Sequence, residues 1–225
     1  MYILIVSATS LEIEPLIKEF DFVSNKDKNL TAYNYRNYDI DVLITGVGMV
    51  ATAFFLGKTL QANNYDVALN LGIAGCFDKK IKLGTILNIN VDSFSEMGAD
   101  NGEYFLSILD LKLIENDTFP FTNLDIINDS EFKSALINNL PKVKGITVNT
   151  IHGNETKIKE VKRLHNPLAE SMEGAAFMFS CKMFDLKHIQ IRAVSNYVEK
   201  RNKAGWNIPL AIKNLNSFIL QLLDE

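Results

Sequence analysis

The sequence has few cysteines and histidines and no long apolar run. Only two cysteines and three histidines occur among 225 residues. None of them shows paired spacing, which argues against a structural zinc site and a disulfide framework. No apolar stretch approaches the roughly 18 residues that a membrane span needs. We therefore expect two reduced thiols, Cys76 and Cys181, in a protein that has no membrane segment and needs no metal or cofactor.

Excess positive charge is also missing. The chain carries 23 Lys and Arg against 27 Asp and Glu, which gives a net charge of −4. A mildly acidic chain lacks the excess of basic residues with which proteins bind nucleic acid or an anionic membrane. Residues 1–6 lack the basic start of a signal peptide, so we expect a cytoplasmic location.

Two phosphate-binding fingerprints are absent. The first apolar run is followed by S-A-T-S at residues 7–10, where a dinucleotide-binding fold would carry G-x-G-x-x-G. The P-loop pattern G-x-x-x-x-G-K-[ST] does not occur either. We therefore expect neither a nicotinamide nor a nucleoside triphosphate site of these types.

Apolar β-rich runs alternate with helical patterns along the chain. We predict strands at residues 2–7, 41–45, 67–71, 85–91, 145–151 and 188–194, and helices at residues 11–16, 49–60, 131–139, 155–164, 169–184 and 206–223. This alternation predicts an α/β fold with a largely parallel or mixed sheet. Without repeats or linkers, we predict one domain over residues 1–225.

Two glycine segments and one glutamate stand near the ends of predicted strands. Glycines at residues 46–48 and 72–75 allow a ligand to approach backbone N–H groups at the sheet's carboxyl edge, or they only form tight turns. Glu12 has two interpretations. With Thr9 it fits a capping box, and it is also placed to act as a general base on a water molecule.

Two further segments combine apolar runs with charge. Glu173 lies inside an apolar run, where a carboxylate needs donors such as vicinal sugar hydroxyls, or is stabilised by the first turn of a helix. Arg192 lies within the strand at residues 188–194, and Asn196 follows the end of that strand, where sites gather in open α/β sheets. The alternatives are an edge-strand charge for Arg192 and a turn residue for Asn196.

Together these motifs resemble a known family. M-E-G-A-A at residues 172–176, I-R-A-V-S-N at 191–196, G-I-A-G at 72–75 and Glu12 occur in the order found in the nucleoside phosphorylase superfamily. The pattern is most similar to its nucleosidase branch, and residues 201–210 resemble futalosine hydrolases. The resemblance implies a three-layer α/β/α fold, a homodimer, a small purine nucleoside as substrate and hydrolysis of its N-glycosidic bond.

The resemblance also implies catalytic roles. Glu12 would activate the attacking water, Arg192 would help to place a water or a carboxylate, and Asn196 would contact the purine leaving group.

Substrate-binding roles follow in the same way. Met172 and Glu173 would hold the ribose, while Ala74 and Gly75 would border the nucleoside through backbone groups. Ile151 is assigned to the substrate site because it lies in the segment where the nucleosidase branch carries a stacking Phe.

Arg201 is the remaining assignment. Arg201 or Lys203 would pair with the aromatic carboxylate of futalosine, and the guanidinium fork of Arg201 suits it. A solvated basic turn is the simpler interpretation.

Departures from the family pattern indicate the base. Methylthioadenosine and S-adenosylhomocysteine nucleosidases carry Ser where Ile73 stands and Asp where Asn196 stands. A neutral amide donates to O6 of a 6-oxopurine and accepts from N7–H, so we expect hypoxanthine as the leaving group. The alternatives are a methylthioadenosine-type nucleosidase, another purine nucleosidase or phosphorylase, and a nucleoside-binding protein without catalysis. Residues 7–11 contain no Arg or Lys to hold phosphate, which favours hydrolysis over phosphorolysis.

Overall fold

A computed structural model describes all residues, 1–225. The strands are β1 (Tyr2–Ser7), β2 (Asp21–Asp27), β3 (Leu30–Tyr35), β4 (Tyr38–Ile44), β5 (Val67–Cys76), β6 (Ile86–Asp92), β7 (Gly98–Asp100), β8 (Phe105–Ser107), β9 (Ile126–Ile127), β10 (Lys142–Thr147), β11 (Ala169–Ser171) and β12 (His188–Tyr197). The helices are α1 (Ser10–Ile17), α2 (Met49–Ala62), α3 (Ala135–Asn138), α4 (Glu155–His165), α5 (Gly174–Met183) and α6 (Ile208–Asp224), with a 3-10 turn at Lys203–Gly205.

The central sheet is mixed and partly closed on itself. Its strand order is β11-β10-β6-β12-β5-β1-β4-β3-β2, and β9 pairs with β6. Strand β5 lies parallel to β1 and β12, whereas β3 lies antiparallel to β4. Strand β11 also pairs antiparallel with β5, so β5, β12, β6, β10 and β11 form a closed ring. The predicted mixed sheet is confirmed.

Helices cover both faces of the sheet. Ile3 and Ile5 of β1 belong to the core cluster that contains buried residues of α1 and α6, whereas Leu4 and Val6 belong to the cluster under α2 and α5. Side chains alternate along a strand, and a strand that is covered on both faces reads as a continuous apolar run. The three-layer prediction is therefore confirmed.

Residues 169–184 do not form the single helix that their apolar pattern predicts. They form β11, which pairs with β10 and β5, and α5 begins only at Gly174. Helical propensity is a weak preference, and pairing on two sides overrides it here. In the predicted helix at residues 131–139, only α3 is helical, capped by Ser134, whose Oγ accepts from the Ile137 N–H.

Two further sequence expectations were wrong or incomplete. The glycine segment at residues 72–75 is not a turn, because β5 continues through it to Cys76, paired with β12 along the segment and with β11 from Gly75. The β2–β3 hairpin was not predicted, since β2 is exposed along its whole length and carries no apolar alternation.

Both cysteines are buried and unpaired. Burial raises the pKa of the Cys76 and Cys181 thiols. None of the helices has the length and hydrophobicity needed to cross a membrane.

A buried carboxylate ties the ring of strands to α5. Asp92 Oδ1 accepts from the Ser93 N–H at 2.8 Å and from Thr147 Oγ1 at 3.0 Å, and Oδ2 accepts from Gln190 Nε2 at 3.1 Å. The same Thr147 hydroxyl accepts the Ala175 N–H at 2.7 Å. Burial outweighs these donors and raises the pKa of Asp92 to about 6.

Replacing Asp92 with Asn tests this buried charge. The native carboxyl binds a proton between about pH 4 and pH 6 and the unfolded one does not, so stability falls as the pH rises through that window. A shift of about two pKa units corresponds to roughly 3 kcal/mol. We expect the Asp92→Asn variant to lose this decline, as measured by urea unfolding between pH 4 and pH 8.

The exposed Asp185 supplies the control, since Asp185→Asn is expected to keep the wild-type pH dependence. An unchanged decline in the Asp92→Asn variant would contradict the assignment.

Candidate functional site

Glu12 contacts both α1 and the central sheet. Its Oε2 accepts from the Thr9 N–H at 3.1 Å and from Thr9 Oγ1 at 3.0 Å, which is the contact that a capping box predicts. Its Oε1 accepts from the Ile73 N–H of β5 at 3.1 Å. Glu12 therefore caps α1 with Oε2 and holds Oε1 at the sheet, where a general base would have to lie.

Arg192 is not an edge-strand charge. It lies in β12, between β5 and β6, and is only 2% exposed. Its guanidinium donates to Oδ1 of the buried Asn70, and its Nε has no partner. A buried donor without a partner is uncommon.

Gly72 makes room for this arrangement. A Cβ at Gly72 would lie 2.7 Å from Nη1 of Arg192 and 3.0 Å from Oε1 of Glu12. The carboxylate and the guanidinium thus flank the space that a methyl group would fill, and glycine keeps that space open.

Glu173 completes a cluster of three charges. It precedes α5, and its Oε1 accepts the N–H of Gly48 at 2.9 Å. Gly48 has a φ of +98°, a conformation that favours glycine. Burial raises the pKa of Glu173 and the charge of Glu12 adds to this, while Arg192 and the Gly48 N–H oppose it. Two carboxylates thus lie within electrostatic range of one buried guanidinium, which is an arrangement suited to holding polar ligand groups and moving a proton.

Asn196 lies within β12, at a bulge, rather than in a turn. Its Oδ1 accepts from Ser195 Oγ at 2.8 Å, and its Nδ2 donates to the Tyr197 carbonyl at 3.1 Å. An Asn side chain has two N–H donors and two acceptor lone pairs, so one of each is left for a ligand. The amide is half-buried.

Strand β5 relates the charge cluster to this amide. Gly72 lies beside Arg192, and the Ile73 N–H binds Glu12. Farther along β5, Gly75 pairs with Asn196 of β12, and Nδ2 of Asn196 lies 3.3 Å from a Cβ built on Gly75. Three residues of strand span roughly 10 Å. A ligand that contacts both places must therefore have two chemically distinct ends.

The other predicted residues are distributed more widely. Met172 is half-buried next to Glu173, and Ala74 is buried, with its carbonyl accepting from Ser195 Oγ. Ile151 is 43% exposed and lines a cavity of about 900 Å³.

Arg201 lies apart from the charge cluster. It is exposed, with its guanidinium carbon 5.3 Å from the centroid of the Trp206 ring. The structure thus brings Glu12, Arg192 and Glu173 together and leaves Arg201 at the surface. Gly75 lies farther along β5, with Asn196 beside it in β12.

Sequence reasoning missed Asn70 and the pair formed by His152 and Glu170. Asn70 is a polar residue inside an apolar strand, a signal that was visible in the sequence. Glu170 is 4% exposed, and its Oε1 accepts the His152 N–H at 2.9 Å while its Oε2 meets Nδ1 of the same residue. No group of three or more His, Cys, Asp or Glu side chains is arranged to hold a metal ion.

The fold and the order of these residues agree with one protein family. The family model of the Phosphorylase superfamily matches residues 2–224, and the chain belongs to that superfamily. Within it, the chain is 28% identical to the futalosine hydrolase of Thermus thermophilus over 99% of this chain and 95% of that protein. It is 24% identical to the futalosine hydrolase of Streptomyces coelicolor, again over 99% and 95%.

Solved structures show the same fold. A 5′-methylthioadenosine/S-adenosylhomocysteine nucleosidase from Neisseria meningitidis, in complex with methylthio-immucillin-A, has a TM-score of 0.80 and 16% identity, covering 99% of this chain and 98% of that one. The native futalosine hydrolase of Helicobacter pylori has the same TM-score and identity, covering 100% and 97%.

A Gly72→Ala substitution tests whether Arg192 and Glu12 require an empty space beside Gly72. The added Cβ must displace Arg192 or Glu12, and such overpacking costs about 1–3 kcal/mol. The matched control is Gly57→Ala in α2, where a Cβ meets nothing within 4 Å and helix propensity favours Ala by about 0.5–1 kcal/mol. Urea unfolding measures both variants, and a Gly72→Ala protein as stable as wild type would contradict the packing argument.

Proposed function

We propose that this protein is a futalosine hydrolase. It cleaves the N-glycosidic bond of futalosine with water and releases hypoxanthine and dehypoxanthine futalosine, a step in the alternative menaquinone route. The similarity to two futalosine hydrolases over nearly the whole chain supports this proposal. The observation that carries it is an arrangement of groups beside β5. The carboxylate–guanidinium cluster lies beside its Gly72, and the neutral amide of Asn196 lies beside its Gly75.

The charge cluster acts on the sugar in this proposal. Departure of the base develops positive charge at C1′, and Glu12 takes a proton from the water that attacks there. Glu173 accepts hydrogen bonds from the ribose hydroxyls, with Met172 beside it. Arg192 helps to place a water or a carboxylate, and its charge opposes the repulsion between Glu12 and Glu173. Ala74 and Gly75 border the nucleoside.

The amide acts on the base. The remaining N–H of Asn196 donates to O6 of hypoxanthine, and its remaining lone pair accepts from N7–H as the base departs. This second bond strengthens as N7 gains a proton, so it stabilises the transition state more than the bound substrate. The bound base lies near the loop that carries Ile151.

The carboxylate on the 5′ side of futalosine meets Arg201 in this proposal. The guanidinium is exposed, and its stacking on Trp206 leaves its N–H edge accessible. A fork of parallel N–H groups pairs well with a carboxylate.

The proposal also includes one domain over residues 1–225, a cytoplasmic location and a homodimer. Val47, Val50 and Phe54 at the start of α2 are exposed, and they form an apolar surface of the kind that pairs with another subunit. The two buried free thiols agree with a reducing compartment.

A methylthioadenosine-type nucleosidase is the second candidate, because the fold matches that of the Neisseria meningitidis enzyme. Ile73 and Asn196 stand where those nucleosidases carry Ser and Asp, and this difference favours an oxopurine substrate. A nucleoside-binding protein without catalysis is the third candidate, and the position of Glu12 and Arg192 on either side of the space beside Gly72 disfavours it.

One assay separates these candidates. Futalosine, inosine and methylthioadenosine are offered with and without phosphate, and the released base is identified by chromatography. We expect hypoxanthine from futalosine without a need for phosphate. Release of adenine alone, a strict phosphate requirement, or no release from any substrate would each refute the proposal.

A Glu12→Gln substitution tests the general base. An amide cannot take a proton from water, so we expect turnover of futalosine to fall by about 10²–10⁴-fold. Glu14→Gln, an exposed change in the same helix, is the control and should retain wild-type turnover. Calorimetry should show substrate binding in both variants. Near-normal turnover of the Glu12→Gln enzyme would leave Glu12 with its capping role alone.

A further inference from the structure

A polar cavity lies beside β6, on the face of the sheet that turns away from the charge cluster. It has a volume of about 470 Å³, and only two of its ten lining residues are hydrophobic. Asn88, which lines it, is the antiparallel partner of Ile191, and Leu87 is the partner of Arg192. Opposed residues extend to one face, and side chains alternate along a strand. Asn88 and Arg192 therefore extend to opposite faces, so this cavity is separate from the site proposed for the nucleoside.

Asn88 is a buried amide without a partner. The residue is 4% exposed, and its Oδ1 makes no hydrogen bond. Buried side-chain amides are nearly always paired, because an unpaired one costs the free energy of its desolvation. A ligand group that donates a hydrogen bond within this cavity supplies the missing partner.

Asn90 adds a second amide on the same face of β6. It is half-buried, lines the same cavity and follows Asn88 by two residues, which separates the two by about 7 Å along the strand. Its backbone carbonyl accepts the Asn128 N–H at 2.8 Å, which holds one wall of the cavity against β6. Each amide side chain combines N–H donors with acceptor lone pairs. The cavity therefore offers a donor next to an acceptor at two points.

The other lining residues favour an uncharged ligand with a small apolar surface. The charged side chains are Asp129, Glu131 and Lys142, so positive charge is not in excess and an anion has no electrostatic advantage. Phe132 and Ile137 are the two hydrophobic residues, and they suit the C–H groups of a ring. The volume lies within the range of small-molecule pockets.

We propose that this cavity binds a monosaccharide in its pyranose form. A hydroxyl group both donates and accepts, so it matches an amide, and hydroxyls on opposite sides of a sugar ring have a spacing similar to that of the two amides. One hydroxyl donates to Oδ1 of Asn88, and another at the far side of the ring pairs with Asn90. The site goes beyond the proposed function and does not depend on it.

A titration of the wild-type protein with D-glucose, D-galactose and D-mannose, followed by ligand-detected NMR, tests this site. We expect at least one hexose to bind saturably. Tetrahydropyran-2-methanol keeps the ring but has a single hydroxyl, so it should bind about tenfold more weakly or worse. If none of the three hexoses binds saturably, or if the single-hydroxyl ring binds equally well, the proposal is overturned and Asn88 holds ordered water alone.

An Asn88→Leu substitution locates the bound sugar. Leu has nearly the shape of Asn but forms no hydrogen bonds, so we expect hexose affinity to fall about tenfold or more. The variant should fold at least as stably as wild type, because it loses an unpaired buried amide. Asn90→Leu, at a half-buried residue, should lower the affinity in the same way and serves if the first variant does not fold.

Two controls separate this cavity from other binding places. Asn101→Leu changes an exposed asparagine outside the cavity, and Glu173→Gln changes the charge cluster. Both should keep the hexose affinity of wild type. A hexose that keeps its affinity in the Asn88→Leu and Asn90→Leu variants, or loses it through Glu173→Gln, binds elsewhere and refutes the proposal. All titrations are made without futalosine, so their outcome stands whether or not the protein is a hydrolase.

Discussion

The buried guanidinium of Arg192 is the constraint on which the site depends. A charge in the central strand of a sheet is tolerable only where its surroundings neutralise and accept it. Asn70 accepts one of its N–H groups, Gly72 leaves the adjacent space empty, and the carboxylates of Glu12 and Glu173 supply the opposite charge. The strand holds Arg192 in place, while the Ile73 N–H of β5 binds Glu12 and the Gly48 N–H binds Glu173.

Closure of the sheet supplies the second half of the site. Strand β11 pairs with both β10 and β5, and α5 starts directly after it. The same closure places Glu173 at the start of α5, where Gly48 binds it, and brings Glu170 opposite Gly75. Below them, Asp92 and Thr147 fix the first turn of α5. One short strand therefore orients Glu173, the group proposed for the ribose, and buries Glu170 beside the central strand.

Much of the fold and of the charge cluster could be predicted from the sequence. The alternating apolar runs predicted an α/β fold with a parallel or mixed sheet. The resemblance of the motifs to the superfamily implied the three layers and named Glu12, Glu173 and Arg192 together. The helix predicted over residues 169–184 was wrong because its first part pairs with strands that are distant in sequence. Glu170 and His152 were missed for the same reason, since neither residue is unusual until β11 lies beside β5.

Local chemistry is what the sequence by itself determined: which segments are apolar enough to be buried on two faces, where a helix is capped, and which polar residues interrupt apolar runs. Only the tertiary structure decided which of those polar residues meet. Hydrophobic periodicity is read along the chain, whereas the register of β11, β5 and β12 is set by hydrogen bonds between segments that are far apart in sequence. A shift by one residue in that register would reverse the faces of Glu170 and Asn196, and no local pattern in the sequence specifies it.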